Sequence, residues 1–196
     1  IHAEAFRRPR RQPDLRPERG WSFDAGVLLD AMPSIQAEGT LFAHFTRDEI
    51  VWNPTSEGHW APDNVRRTRA LGAEASLRHR AAVVGRVQIA SGLTYTYTDA
   101  RNRSDPEAPA FDQPLRHVPR HQLKGHVSTA VGAWTLDLGG RYVGRRYVTG
   151  DGMQSIPAHF VTDAQVRLAQ EVGGVGVRLA FVVDNLLDAD YAVLPN

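Results

Sequence analysis

The chain has 196 residues, and its 23 basic and 22 acidic side chains leave a formal net charge of +1; a nucleic-acid-binding protein usually carries a much stronger basic excess. It contains no cysteine, which excludes a disulfide framework and a thiolate metal site. No apolar run approaches the ~18 residues of a membrane helix. Hydropathy hardly registers a membrane barrel, however, because only every second residue of its strands faces lipid.

Residues 1–20 are rich in arginine and proline, and prolines this dense exclude a central strand, so we interpret them as a loop. From Trp21 onward, apolar and polar side chains alternate with the two-residue period of a strand that has one apolar face. This alternation predicts eight strands, at roughly 21–30, 35–46, 67–78, 84–98, 118–131, 133–143, 158–170 and 175–184.

The connections between these strands alternate between short and long. The short turns lie near Pro33, Ala81, Gly132 and Gly173, and the long connections are 47–66, 99–117 and 144–156. A transmembrane up-and-down barrel needs strands of ~9–11 residues, short periplasmic turns and longer extracellular loops. The pattern therefore predicts an all-β, antiparallel up-and-down transmembrane β-barrel. The N-terminal loop and the tail after Asp184 would lie on the extracellular side.

Many charged side chains fall on the predicted polar face of the strands. They are Glu38, Glu74, Arg78, Arg86, Lys124, Asp137, Arg141, Asp163, Arg167 and Arg178. A dry barrel interior could not hold so many charges, whereas a water-filled or plugged lumen can. Aromatic residues near strand ends, such as Trp21 and Trp134, fit the interfacial girdles of membrane barrels. A soluble antiparallel sandwich would show a similar alternation and stays an alternative.

The last predicted strand ends in Asn185-Leu186-Leu187-Asp188-Ala189-Asp190-Tyr191. This segment resembles the Asn-Leu-Phe-Asp-x-x-Tyr signature of TonB-dependent outer-membrane receptors, with Leu187 where phenylalanine is usual. Other segments resemble the same family in the same order. They are 15–26 (with Asp24 where glutamate is frequent), 64–74, 93–100 and 115–121, while 48–52 and 60–65 are most similar to the cobalamin-receptor branch.

The resemblance implies that residues 1–196 are a fragment of the C-terminal β-barrel domain, about eight strands of a larger barrel, with the plug domain and the last strand absent. It implies a place in the Gram-negative outer membrane, in contact with its lipid, and coupling to the TonB complex through the missing plug. The implied function is a receptor and transporter for a scarce metal chelate or vitamin, either cobalamin or a ferric siderophore. No nucleic-acid partner and no cofactor are expected.

Candidate ligand contacts are aromatic and polar residues of the predicted extracellular loops, because flat amphipathic rings supply contact area at little entropic cost. By position they are Trp52, Asn53, His59, Trp60 and Tyr147. The arginines within 7–11 and at 145–146 could attract anionic ligands or lipopolysaccharide phosphates, or could simply be solvated loop charges.

Metal binding and catalysis find little support in the sequence. His117, His121 and His126 invite a metal interpretation, but His126 lies roughly 16 Å along a strand from His121. No carboxylate or cysteine stands at ligand spacing beside them. No nucleophile elbow or other local catalytic signature is present, so we expect neither a metal site nor an enzyme.

Two other interpretations remain open from the sequence. One is a small closed eight-stranded outer-membrane barrel with a structural or adhesion role. The other is a soluble β-sheet binding module, which would be released into buffer without detergent.

Overall fold

The computed structural model describes residues 15–54, 60–83, 87–149 and 152–192. These residues form ten strands: β1 (Arg19–Met32), β2 (Ile35–Pro54), β3 (Trp60–Val83), β4 (Val87–Asn102), β5 (His121–Val131), β6 (Trp134–Val143), β7 (Arg146–Tyr147), β8 (Ser155–Ile156), β9 (His159–Val172) and β10 (Val175–Val183). Within these ranges no helix is long and apolar enough to cross a membrane.

Eight of the strands form a single sheet in the order β1-β2-β3-β4-β5-β6-β9-β10. Every pairing in it is antiparallel. β7 and β8 form a separate two-stranded hairpin within the β6–β9 connection. The sheet does not close, since β1 and β10 each pair on one side only. The predicted all-β, up-and-down partial barrel is confirmed.

The strand register carries the sequence alternation across the sheet and so creates one apolar face. Trp21 stands opposite Phe45, and Tyr142 stands between Leu123 and Phe160. These side chains are largely bare, with Trp21 72% exposed. Among the described residues the only buried apolar side chains are Ala100 and Val161. Because the sheet has so little core of its own, another apolar phase must cover this face.

The opposite face is polar, and its side chains bond to one another across strands. Arg167 on β9 donates to the Asp137 carboxylate on β6 at 2.8 Å. Thr96 on β4 donates to Glu74 on β3 at 3.1 Å. Such cross-strand pairs stabilise a sheet by fractions of a kcal/mol each, roughly 0.2–1. Glu74, Asp137 and Arg167 are thus paired across the strands, and Glu38 lies 3.9 Å from Arg78. Arg86 lies outside the described residues.

The prediction of a long loop at 47–66 is wrong. β2 continues to Pro54 and β3 begins at Trp60, and their backbones stay paired up to the Pro54–Trp60 rung. The apolar alternation ends near Thr46, where the register shifts and Asp48 takes a φ of 58°. Paired backbone hydrogen bonds continue along the rest of this ribbon, and they need no alternation of side chains. β3 also passes the turn predicted near Ala81 and reaches Val83.

The other boundaries agree with the sequence more closely, and the tight turns use glycine. Gly132, between β5 and β6, has a φ of 58°, which an L side chain rarely adopts. Gly173 and Gly174 repeat this conformation between β9 and β10. The connection 144–156 contains β7 and β8, which the sequence analysis missed because a two-residue strand has no readable period.

Candidate functional site: the mouth of the barrel

The β4–β5 connection, β7–β8 and the tail after β10 meet at one end of the sheet, here called the mouth. The connection folds back onto β4 instead of extending freely. The Asn102 amide donates to the Gln113 carbonyl at 3.0 Å, and the Leu115 amide donates to the Ala100 carbonyl at 2.9 Å. This covering buries Ala100, which is 7% exposed. The loop at the mouth is therefore a fixed part of the sheet.

Charged side chains of this loop and of β4 form an arginine–aspartate cluster. It consists of Asp99, Arg101, Arg103, Asp112 and Arg120. Asp99 binds Arg101 at 2.9 Å and Arg120 at 3.2 Å. Asp112 binds Arg103 at 2.6 Å and lies 3.7 Å from Arg101, whose guanidinium also donates to the Asp112 carbonyl. Each partly exposed pair contributes ~0–1 kcal/mol, but a linked network holds several segments together.

Replacing Asp112 by alanine should loosen the β4–β5 loop without unfolding the sheet. The change removes two ion pairs, and it places alanine at a φ of 59°, a conformation that costs an ordinary residue about 1 kcal/mol. We expect several-fold faster trypsin cleavage at Arg103 and Arg116 in the folded protein, while the urea midpoint changes little. The matched control is Glu107→Ala, since the exposed Glu107 side chain makes no hydrogen bond or ion pair among the described residues. Equal protease resistance of D112A and the wild type would contradict a fastening role for the cluster.

A small cleft lies beside the cluster and is lined by one predicted ligand contact. Tyr147 shares it with Arg120, His121 and Arg145, and its volume is about 110 Å³. Ligand pockets that enclose a whole small molecule measure ~300–1,000 Å³, so this cleft can hold one group of a larger ligand. The two guanidinium groups make an anionic group, such as a carboxylate, the best fit.

Backbone and side-chain contacts fix the position of Tyr147. Its carbonyl accepts a hydrogen bond of 2.8 Å from the His117 amide, which joins β7 to the β4–β5 loop. Arg146, the preceding residue, donates to the Ala192 carbonyl at 3.2 Å and so joins β7 to the C-terminal tail. The half-buried Tyr147 ring is thus held at the meeting point of three chain segments.

Tyr147 lies on β7, whereas the other described ligand-contact candidates lie on β2 and β3. Trp52, Asn53 and Trp60 lie on neighbouring rungs at the far end of the β2–β3 ribbon, and their side chains are outside what the structure describes. His59 lies outside the described residues. The sequence analysis missed Arg120 and the two aspartates of the cluster. The repeat Asp99-x-Arg101-x-Arg103 at a strand end, which puts three charges on one face, was the available signal.

The segment 185–191 folds into a turn that returns the chain to the mouth. The Asn185 side chain accepts a hydrogen bond from the Ala189 amide at 2.9 Å and donates to the Ala189 carbonyl at 3.0 Å. Its backbone amide donates to the Asp163 carboxylate at 2.9 Å. Tyr191 then stacks on His159, with ring centroids 4.9 Å apart. The sequence motif at 185–191 therefore forms a turn that reverses the direction of the chain after β10.

The three histidines of the sequence analysis have separate surroundings. His121 lies within 2.7 Å of the Tyr95 hydroxyl, while His126 lies against Gly92 on the polar face. His117 takes a φ of 66° in the loop. In the described part of the chain, no group of three or more histidine or carboxylate side chains is placed to hold a metal ion.

Comparison with known proteins agrees with this architecture. The family model described as TonB-dependent receptor-like β-barrel matches residues 3–186. The ferric citrate transporter FecA, in its unliganded form, superposes with a TM-score of 0.72 at 22% identity, over 89% of this chain and 27% of that one. BauA, the ferric preacinetobactin receptor of Acinetobacter baumannii, gives 0.66 at 19% identity, over 89% and 26%. The copper transporter OprC gives 0.70 at 19% identity, over 92% and 28%.

These likenesses establish the fold and its extent. The chain spans roughly a quarter of the length of the solved structures that it matches, 26–28% in the three described above. No curated protein matches the sequence.

Proposed function

Because the chain belongs to the TonB-dependent receptor-like β-barrel family, we propose that it forms part of the barrel of an outer-membrane receptor that imports a scarce metal chelate or vitamin. The family consists of receptors, and the superposed structures are transporters and receptors, not enzymes. The observation that carries the proposal is the family match over residues 3–186 of a sheet with one bare apolar face. Lipid would cover that face, and the polar face would line the transport path.

The mouth suggests how a ligand would be received. Arg120 and Arg145 at the cleft favour a ligand with an acidic group, as many metal chelates have. The cleft is too small for an entire chelate, so the rest of the ligand would need the neighbouring loops. The acidic partner of Arg120 is Asp99 at 3.2 Å. A bound anion could share this arginine or displace the carboxylate, and either event would alter the contacts of the β4–β5 loop. In this proposal, energy for transport comes from the TonB complex acting through a plug.

The charge of the cleft bears on which ligand is imported. A ferric siderophore or another anionic chelate suits two guanidinium groups better than cobalamin does. We therefore propose an anionic iron chelate first and retain cobalamin as the second candidate, because segments 48–52 and 60–65 resemble the cobalamin-receptor branch.

Deletion of the gene, followed by radiolabelled uptake, tests the proposal. Cells that carry only this receptor should accumulate one labelled iron chelate or labelled cobalamin, and the deletion strain should lose that uptake. Removal of TonB should have the same effect as the deletion. Unchanged uptake of every tested iron chelate and of cobalamin in the deletion strain would contradict the proposal.

Alanine substitutions at Trp52, Trp60 and Tyr147 test the predicted ligand contacts. Truncating one aromatic side chain at the centre of a binding surface costs more than about 1 kcal/mol, so the half-saturating ligand concentration should rise about five- to tenfold. Outer-membrane abundance, measured by immunoblot, should stay at the wild-type level. Glu107→Ala at the tip of the β4–β5 loop is the control and should leave uptake unchanged. A parallel loss of abundance would show that the aromatic residues are structural.

A further inference from the structure

Four arginines lie in neighbouring positions at the mouth end of the apolar face of β1, β2 and β3. Arg19 stands directly opposite Arg47, and Arg69 stands opposite Phe45. Arg67 lies two residues before Arg69 on β3, and its carbonyl accepts a hydrogen bond of 2.7 Å from the Arg103 amide. We call Arg19, Arg47, Arg67 and Arg69 the arginine row.

The arginine row borders a groove that also has aromatic walls. The groove encloses about 960 Å³, and its apolar walls are Trp21, Phe23 and Phe45. These rings are 72%, 58% and 39% exposed. Among the described residues, no acidic side chain lines the groove. The cavity thus combines a wholly basic edge with an apolar wall, the pattern of a site for an amphipathic anion.

The electrostatics of the row call for a counter-charge. Like charges directly opposite one another on adjacent strands destabilise a sheet, and Arg19 faces Arg47 in this way. Glu18 is an acidic residue that immediately precedes β1, but its carboxylate accepts a hydrogen bond from the Ile50 amide at 2.7 Å. The Arg69 Nε is buried and has no hydrogen-bond partner. Arg103 also lines the groove, but Asp112 neutralises it at 2.6 Å.

The height of the row along β1 places it at the edge of the membrane. The apolar positions of β1 run from Trp21 to Leu29, which at ~3.3 Å per residue is roughly 26 Å. At the ~35–45° tilt of barrel strands this length rises roughly 19–22 Å, which is close to the ~25 Å apolar band of a membrane barrel. Arg19 lies two residues before Trp21 on the same face of β1, about 7 Å further along the strand. This is the depth of the lipid headgroups, where arginines meet phosphates.

We propose that the arginine row and its groove bind a phosphorylated lipid of the outer leaflet, with the phosphate on Arg19, Arg47 and Arg69. The acyl chains would lie against Trp21 and Phe45. This inference rests on the proposed function, since it takes the apolar face to be in the outer membrane. A soluble phosphate would use the arginines but leave the aromatic wall bare, so the combined site points to a lipid.

The test uses the whole receptor, purified in a non-ionic detergent with its endogenous lipid removed. Diphosphorylated lipid A and its dephosphorylated form are titrated separately, and bound lipid is counted by native mass spectrometry. We expect at least about tenfold tighter binding of the phosphorylated form, since charge-assisted hydrogen bonds are the stronger ones. The variant R19Q/R47Q should lose this preference, and R19K/R47K should keep much of it.

A matched variant controls for the general loss of positive charge. R80Q/R178Q also removes two strand arginines, but from the polar face, and it should keep the wild-type preference for phosphate. Each variant is first shown to be folded by its heat-modifiable migration. Equal binding of both lipid forms by the wild type would overturn the proposal, as would an equal loss of preference in the control variant.

Two further outcomes separate this site from its alternatives. Inorganic phosphate that displaces lipid A at millimolar concentration would assign the row to a soluble anion and overturn the lipid proposal. Because no chelate is present, lipid binding is measured independently of transport. A receptor that prefers the phosphorylated lipid but imports no chelate or vitamin would contradict the proposed function and support this site. A receptor that imports a chelate or vitamin but does not prefer the phosphorylated lipid would support the proposed function and contradict this site.

Discussion

Replacing Gly72 on β3 by alanine is expected to impair assembly of the barrel far more than the same change at Gly39 on β2. Gly72 lies on the polar face of β3, directly opposite Phe42. A Cβ atom there would collide with the Phe42 ring and with the backbone carbonyl oxygen of Tyr97 on β4. The ring can rotate away, but the carbonyl belongs to the β3–β4 ladder and cannot move without breaking it. Overpacking of this kind costs about 3 kcal/mol.

The measurement is the urea midpoint of the refolded receptor in detergent micelles, together with its heat-modifiable fraction. Gly39 supplies the matched control, because nothing lies within 4 Å of the Cβ that alanine would add there. Gly39→Ala should change stability by less than about 0.5 kcal/mol. Adding Phe42→Ala to Gly72→Ala should restore only part of the loss, since the Tyr97 carbonyl remains. Similar urea midpoints for Gly72→Ala and Gly39→Ala would show that β3 and β4 accommodate the added methyl group without loss of stability, which would contradict the prediction.

Substitutions at Asn185 should destabilise the end of β10 in a graded order. Asn185 has a φ of 53° and makes two side-chain hydrogen bonds to Ala189. Alanine loses both bonds, about 1 kcal/mol each, and the left-handed backbone costs it about 1 kcal/mol more. Glycine loses the bonds but tolerates the conformation. Aspartate keeps the acceptor and tolerates the conformation, so the expected stability order is Asn, Asp, Gly, Ala.

The same urea and heat-modifiability measurements test this order. Uptake should fall in step with stability, because the turn positions Tyr191 on His159 and brings the Ala192 carbonyl to Arg146 at the mouth. A glycine variant as unstable as the alanine variant would mean that the positive φ contributes nothing. Unchanged stability of the aspartate, glycine and alanine variants would show that the turn at Asn185 does not contribute to the stability of the fold.

The sequence predicts the alternating part of the sheet well because one apolar face and one polar face force a two-residue period. The alternation stops near Thr46, while the strand pairing continues. The β2–β3 ribbon beyond Thr46 continues as a ladder of paired backbone groups. Charged residues such as Asp48 and Glu49 are compatible with this ladder and give a false loop signal. The pair β7–β8 escapes prediction for another reason, since a strand of two residues is too short to show a period.

Only some residues at the mouth can be chosen from the sequence, for a physical reason. Tyr147 could be chosen by position, and the structure places it in the basic cleft. The partners that give the cleft its character, Arg120 and Asp99, meet through the folding of the β4–β5 loop onto β4. Contacts between residues so far apart in sequence leave no local pattern. Asn185 is the opposite case, since its motif is local and its hydrogen bonds are too.

The unequal strand lengths have a consequence for encounters at the cell surface. β2 and β3 hold 20 and 24 residues, against 9 in β10. In the proposed orientation, the eight residues of β2 after Thr46 raise a paired ribbon roughly 26 Å beyond the last alternating rung. A two-stranded projection of this height meets large particles before the mouth does. Antibodies and other bulky particles would therefore bind the ribbon first, while small solutes diffuse past it to the cleft.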